Sequence, residues 1–193
     1  MTLNCVDPNL LVNAGLYKLL PPEKYHYLNQ SGCVRMEGVD DGELFGNVRI
    51  AMTVLGISNE TQDSIFRVLS AVLLLGNIEF KPDGKEGCAI KNNDDIVAIA
   101  SLLSVDASAL AISLTVRSMK VRGQSLTIPL KPEQAVDTRD ALAKGLYGRL
   151  FIWLVDSINI SIDIGKHSNF IGVLDVSSFC ACFAVVFVCK SSL

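Results

Sequence analysis

The chain has 193 residues, of which half are hydrophobic and 19% are charged, and this composition excludes an intrinsically disordered protein. A net charge of −3 without a basic run argues against a nucleic-acid partner. Six cysteines and two histidines fit neither a disulfide framework nor a zinc site, so we expect no bound metal and a reducing, cytosolic compartment. The first ten residues lack the basic start and apolar core of a signal peptide.

The first part of the chain predicts an irregular segment followed by two helices. Residues 1–20 show no clear periodicity. The acidic pair Asp40-Asp41 is typical of a helix start, and Gly56 is typical of the end of that helix. Ser58 can cap a second helix that ends at Gly76. This second helix is apolar over most of its final turns, so we expect it to be buried.

The middle of the chain predicts short strands and two further helices. Residues 78–80 and 88–90 are short apolar runs on either side of a turn, which is the pattern of two strands. A helix is expected from Asn92 to Leu103, and Asp106 can cap another short helix after it.

A hairpin and one long helix follow. Residues 119–121 and 126–130 each alternate apolar with other side chains, so with Gly123-Gln124 between them they predict a hairpin or an extended surface loop. Pro132 suits the first position of a helix whose apolar stripe continues to about Ile160, a length of roughly 40 Å. A helix this long and amphipathic is expected to lie across a larger body.

The run FIGVLD at residues 170–175 predicts a strand covered on both faces in a parallel sheet. Ligands bind beyond the carboxyl ends of such strands, so Asp175 is a candidate site residue. The alternative is an aspartate that only begins a turn.

The final apolar run, residues 180–188, allows three interpretations. Residues 170–189 have roughly the length of a bilayer span, but the charged Asp175 interrupts them, which argues against a membrane anchor. Cys180, Cys182 and Cys189 could bind a metal, although no fourth ligand is evident. We favour the third interpretation, in which residues 180–193 are a tail foreign to the fold.

Five segments in order resemble the myosin motor domain: YHYLNQSGCV (25–34), LLLGNIEF (73–80), RSMKVRG (117–123), QAVDTRDALAKGLYGRLFIWLVDSIN (134–159) and FIGVLD (170–175). Within that family the segments look nearest to the unconventional myosins of classes seven and ten. The resemblance divides the chain into an irregular segment 1–20, a partial motor domain 21–179 and the unmatched tail 180–193. It implies a mixed α/β, mostly helical fold, in which upper-subdomain helices and one central-sheet strand form part of a P-loop NTPase-like motor.

In that family the loop before the long helix contacts actin, so the resemblance implies a contact through Arg117, Lys120 and Arg122. The alternative is an ordinary solvated hairpin. One position of the family loop is usually Thr, Glu, Asp or Ser, and it falls on Gln124 here. Glutamine cannot be phosphorylated, and the neighbouring Ser125 is a weak substitute.

The resemblance also implies a nucleotide-sensing switch of pattern D-I-x-G-F-E after the predicted strand. Asp175, Val176 and Phe179 match this pattern, so Asp175 would hold the magnesium-bound water of the parent motor. Ser178 stands where the family has Gly, and Cys180 stands where it has Glu. Serine restricts a backbone that must approach phosphate, and cysteine cannot form the ion pair that closes the site.

The sequence contains neither the phosphate-binding pattern G-x-x-x-x-G-K-[ST] nor the family's first switch. We therefore expect an internal fragment of an actin-based motor that uses ATP with magnesium when whole, and that binds no cofactor and is inactive alone. The expected partner is the actin filament, in the cytoplasm and cytoskeleton. The alternatives are a non-catalytic helical actin-binding or interaction module and a membrane-tethered truncated product.

Overall fold

The computed structural model describes residues 19–84, 87–121, 124–163, 169–174 and 185–190. For residues 120, 121, 124 and 125 and for the last two ranges it describes the backbone. The described chain is mostly helical. After a short 3-10 helix at Pro22–Lys24, the helices are α1 (Asp41–Val54), α2 (Asn59–Leu75), α3 (Asn93–Leu103), α4 (Ala107–Thr115) and α5 (Pro132–Ile162).

The helix starts follow the capping residues that the sequence indicates. Asp40 accepts hydrogen bonds from the backbone N–H groups of Gly42 and Glu43, at the start of α1. The hydroxyl of Ser58 accepts one from the backbone of Thr61 in α2, and Asp106 caps α4 in the same way. These side chains satisfy amide groups that have no partner within the helix, so the three predicted helix starts are confirmed.

Three antiparallel pairs of strands complete the described structure. They are β1 (Phe80–Pro82) with β2 (Cys88–Ile90), β3 (Val116–Val121) with β4 (Gln124–Pro129), and β5 (Asn169–Leu174) with β6 (Val185–Lys190). The predicted hairpin is confirmed, but Val121 pairs with Gln124. Gln124 is therefore part of the second strand, whereas the sequence suggested that it belonged to the connection between the strands.

The first strand begins two residues later than predicted. Ile78 is fully buried, and its N–H donates to the carbonyl of Leu75 in a turn that ends α2. The backbone of Ile78 is therefore used by this turn, and extended pairing begins only at Phe80, opposite Ile90.

The expected parallel sheet around residues 170–174 is wrong for the described residues, although the strand itself is confirmed. β5 pairs with β6, and the two run antiparallel. A parallel pair needs a crossover of a dozen or more residues, whereas only residues 175–184 separate these strands. The β-prone run 185–190, interpreted above as part of a foreign tail, supplies the nearest partner.

The described core consists of two main clusters, which α2 joins, and a small third cluster of Cys88, Leu130 and Ala135. The larger one surrounds Leu75, Ile78 and Ile99 and joins α2, α3 and α4, while the smaller one surrounds Phe45 and Phe66, whose ring centroids are 4.9 Å apart. Because α2 contributes to both clusters, its predicted burial is confirmed.

Helix α5 is confirmed as one helix of 31 residues, about 46 Å long. Its first half packs on the core through Ala135, Arg139 and Ala143, which are all buried. Its second half exposes large apolar side chains, namely Tyr147, Phe151, Ile152, Trp153, Val155, Ile160 and Ile162. An apolar surface of this extent is typical of a contact with a further part of a protein.

Among the described helices, no single one is long and apolar enough to cross a membrane. The helices α3 and α4 together have sufficient length and apolar composition, but the chain bends by 115° between them.

Candidate functional site

The base of the hairpin β3–β4 is fixed to the core by a backbone hydrogen bond and a buried side chain. Its first strand continues directly from α4, and the N–H of Leu130 donates to the carbonyl of Thr115 at 2.8 Å. The Leu130 side chain is buried beside Ala135 and Cys88. Two residues after Leu130, Pro132 begins α5. The hairpin is therefore fixed both to the core and to the long helix.

One face of this hairpin combines a positive charge with apolar side chains. The register pairs Arg117 with Ile128 and Met119 with Leu126, and successive residues of a strand alternate between the two faces. Arg117, Met119 and Leu126 are exposed, the last two by 43% and 51%. Such a mixed surface suits contact with another protein.

The other predicted hairpin residues are defined by the backbone alone or lie outside the described residues. Lys120 pairs with Ser125 on the second face, whereas Gln124 lies on the same face as Arg117. Arg122 lies outside the described residues. Arg117 and Lys120 lie three positions apart on one strand and therefore on opposite faces, so the three predicted basic contacts do not share one face.

Sequence reasoning missed a polar network that joins α5 to the end of α2. Arg139 is 6% exposed, and its Nη1 donates to the carbonyl oxygens of Gly76 at 3.1 Å and Ile78 at 2.8 Å. Its Nε and Nη2 lie 2.8 and 2.7 Å from Oδ1 of Asp140, which also accepts a hydrogen bond from the Tyr27 hydroxyl. The arginine's donors are thus committed to protein oxygens, which indicates a structural role.

The network shifts the pKa values of both acidic groups. Burial raises the pKa of Tyr27, and the hydrogen bond to Asp140 and its negative charge raise it further, to about 12. Partial burial raises the pKa of Asp140, but the hydrogen bonds from Tyr27 and Arg139 and the charge of Arg139 outweigh that and hold it below its ordinary value.

Gly76 permits this close packing. A Cβ atom placed on Gly76 would lie 2.8 Å from the Tyr27 ring, although the backbone φ there is an ordinary −57°. The next residue, Asn77, accepts from the N–H of His26 and donates to the carbonyl of Lys24. In the sequence, Gly76-Asn77 indicates only the end of a helix. Nothing in the neighbouring residues indicates that this pair also packs against Tyr27 and binds the backbone of residues 24 and 26.

The predicted nucleotide-switch residues lie outside the described residues. Strand β5 ends at Leu174, immediately before Asp175, and Ser178, Phe179 and Cys180 follow in the same undescribed stretch. Their assignment stays a prediction. Among the described residues, no group of three or more His, Cys, Asp or Glu side chains could hold a metal ion.

The family model and the individual relatives that match this chain all point to the same family. The myosin head (motor domain) family matches residues 11–185. The myosin-I heavy chain of Dictyostelium discoideum is 50% identical over 167 residues, which are 84% of this chain and 7% of that protein. Myosin-6 and myosin-15 of Arabidopsis thaliana are 46% and 42% identical, over 84% and 89% of this chain. The chain spans 7% to 12% of the length of these three relatives.

Proposed function

The chain belongs to the myosin head (motor domain) family, and we propose that it acts as part of an ATP-driven motor that moves on actin. The family is one of cytoskeletal motor proteins that bind actin and ATP. Because the chain spans about a tenth of its relatives, this activity belongs to a larger motor in which the chain is one part. The suggested nearness to classes seven and ten stays a prediction.

The part that we assign to this chain is a surface for the actin filament. The observation that carries the proposal is the exposed face of β3–β4, where Arg117 lies beside Met119 and Leu126. The positive charge of Arg117 attracts an acidic protein surface and guides its approach, and the two apolar side chains provide area to bury. Because Leu130 is held by a backbone hydrogen bond and a buried side chain, a force applied to this face of the hairpin would be transmitted to α5 and the core.

We assign ATP binding and hydrolysis to the whole motor and not to this chain alone. ATP with magnesium is the family's cofactor, and Asp175 is the residue of this chain that we assign to the magnesium-bound water. Ser178 and Cys180 do not fit the closed switch, and the phosphate-binding pattern is not in the sequence. We therefore expect this polypeptide by itself to show no micromolar affinity for MgATP in a calorimetric titration.

A second candidate is a non-catalytic actin-binding module in the cytoplasm. The observation in its favour is that the described helices enclose two core clusters of their own and present the hairpin without any nucleotide element. The two candidates differ in one measurable property. Actin binding by a motor is released by ATP, whereas binding by a module does not respond to ATP.

The actin contact can be tested in the head of the Dictyostelium myosin-I heavy chain, with its matching stretch replaced by residues 21–163. We expect Arg117→Glu to weaken cosedimentation with actin filaments by about tenfold at low salt, because charge reversal slows and weakens an electrostatically guided contact. The matched control is Arg67→Glu, since Arg67 is an exposed arginine on α2 away from the hairpin. Equal affinities for all three proteins would show that this hairpin face does not contact actin.

A further inference from the structure

A cavity with an excess of basic residues lies between the segment 24–29, the end of α2 and the long helix α5. Its volume is about 620 Å³. Three basic residues and one acidic residue line it, namely Lys24, Lys91, Arg139 and Glu79. Such an excess of positive charge attracts anions. The actin contact proposed above does not use these residues.

The ion pairs around this cavity leave positive charge available to a ligand. Arg139 is buried, and its charge is offset by Asp140. Lys91 lies 2.8 Å from Glu79, but the two side chains are 50% and 67% exposed, so this pair is weak. Lys24 is exposed, and within the described part of the chain no carboxylate forms an ion pair with it.

Hydrogen bonds hold the rim of the cavity in place. Oδ1 of Asn77 accepts from the backbone N–H of His26 at 2.9 Å, and its Nδ2 donates to the carbonyl of Lys24 at 2.8 Å. Nε2 of Gln30, which can only donate, lies 3.1 Å from Nδ1 of His26, so the neutral ring carries its proton on Nε2. The backbone that carries Lys24 and His26 is therefore ordered in advance, which lowers the entropic cost of binding.

We propose that this cavity binds a small organic molecule that carries a phosphate group. The ammonium groups of Lys24 and Lys91 and the Nε2–H of His26 are three donors, which match the three terminal oxygens of a phosphate monoester. Phe80 and Val136 also line the cavity and offer apolar surface to the rest of the molecule. The volume lies within the roughly 300–1,000 Å³ typical of small-molecule sites, and inorganic phosphate alone would leave most of it unfilled.

The proposal can be tested by calorimetric titration of the full chain, carried on a solubilising fusion, with phenyl phosphate and inorganic phosphate at low salt. The fusion partner alone provides the baseline. We expect phenyl phosphate to bind with a Kd below about 1 mM, and about fivefold more tightly than inorganic phosphate because its ring contacts the apolar wall. Absence of binding, or equal affinities for the two probes, would overturn the proposal.

Variants of Lys24 test whether the cavity is the site. Lys24→Gln is expected to weaken the binding of phenyl phosphate by about tenfold, and Lys24→Arg, which keeps the charge, should retain most of the affinity. The matched control is Lys144→Gln, which removes one positive charge from an exposed position of α5 outside the cavity and should leave the affinity unchanged. Equal affinities of the unaltered chain, Lys24→Gln and Lys144→Gln would indicate an adventitious ion only and overturn the proposal.

A second measurement uses the unaltered chain and so does not depend on the folding of a variant. Lysines would be acetylated with limiting acetic anhydride, with and without saturating phenyl phosphate, and the modified positions mapped by mass spectrometry. We expect the ligand to slow acetylation of Lys24 and Lys91 by about threefold or more, because their ammonium groups are bound, and to leave Lys144 unaffected. Equal slowing at all three lysines, or none at Lys24, would contradict the proposal.

Discussion

The guanidinium Nη1 of Arg139 lies 2.8 Å from the carbonyl oxygen of Ile78, a residue 61 positions earlier in the chain. This contact connects the long helix α5 to the turn that ends α2. Since the same arginine also contacts Asp140, the network sets the position from which α5 and the preceding hairpin extend. The hairpin's geometry therefore depends on a buried contact made seven residues into α5.

Replacing Arg139 by alanine is expected to lower the free energy of unfolding by about 3–5 kcal/mol, because it leaves two buried carbonyls without their donor and removes the ion pair of Asp140. The control is Arg149→Ala in the same helix, where the arginine is exposed, and its effect is expected within about 0.5 kcal/mol. Urea unfolding of a soluble form checks both values. Similar small losses for the two variants would show that the network does not hold α5.

Tyr27→Phe removes the hydroxyl that donates to Asp140 and should lower the free energy of unfolding by about 1–2 kcal/mol near pH 8. The folded pKa of about 12 lies above the ordinary value of 10.0, so the stability that the protonated hydroxyl contributes is complete below pH 10. It is lost as the pH rises from 10 to 12. Unfolding free energies of both proteins measured across this range should therefore converge, and a constant difference would contradict the assignment.

Gly76→Ala is expected to destabilise the fold by about 1–3 kcal/mol, because the new Cβ meets the Tyr27 ring at 2.8 Å. Gly145→Ala is the matched control, since a Cβ at that position in α5 meets nothing within 4 Å. There alanine should stabilise the helix by about 0.5–1 kcal/mol. Thermal melts should shift in opposite directions, and a shift in the same direction would show that the Tyr27 contact is not tight.

The exposed second half of α5 should make the isolated chain associate. We expect Phe151→Glu with Ile160→Glu to reduce large species in sedimentation velocity, because both side chains are more than half exposed on this helix. Ile112→Glu, at an exposed position of α4 outside this helix, should change little. Removing residues 180–193 should help without abolishing association. A monodisperse monomer of the unaltered chain would contradict this prediction.

The helices could be predicted from the sequence because their information is local. Asp40, Ser58 and Asp106 mark helix starts by capping, and the apolar period of α5 extends over many turns. The start of β1 was predicted two residues too early, because the N–H of Ile78 is used by the turn that ends α2 and the apolar run 78–80 does not indicate this turn. The antiparallel partner of β5 was missed because pairing depends on which strands are near in space.

The candidate site was predicted only in part, for a similar reason. The family resemblance grouped Arg117 with Lys120, but the two lie three positions apart on strand β3, and alternation of successive residues puts them on opposite faces. The network of Arg139, Asp140 and Tyr27 joins residues more than a hundred positions apart, and no spacing in the sequence marks such a contact.

The most direct test of the account is actin-activated ATP turnover by the Dictyostelium myosin-I head, with its matching stretch replaced by residues 21–180 of this chain. One chimera keeps Ser178 and Cys180, and the other carries Ser178→Gly and Cys180→Glu. If the chain is part of an actin-based motor, the repaired chimera should be activated by actin, and the unrepaired one should be slower by about a hundredfold or more because its switch cannot close. A folded repaired chimera that binds ATP but gains no turnover from actin would contradict the central claim, and equal rates would show that the two departures are harmless.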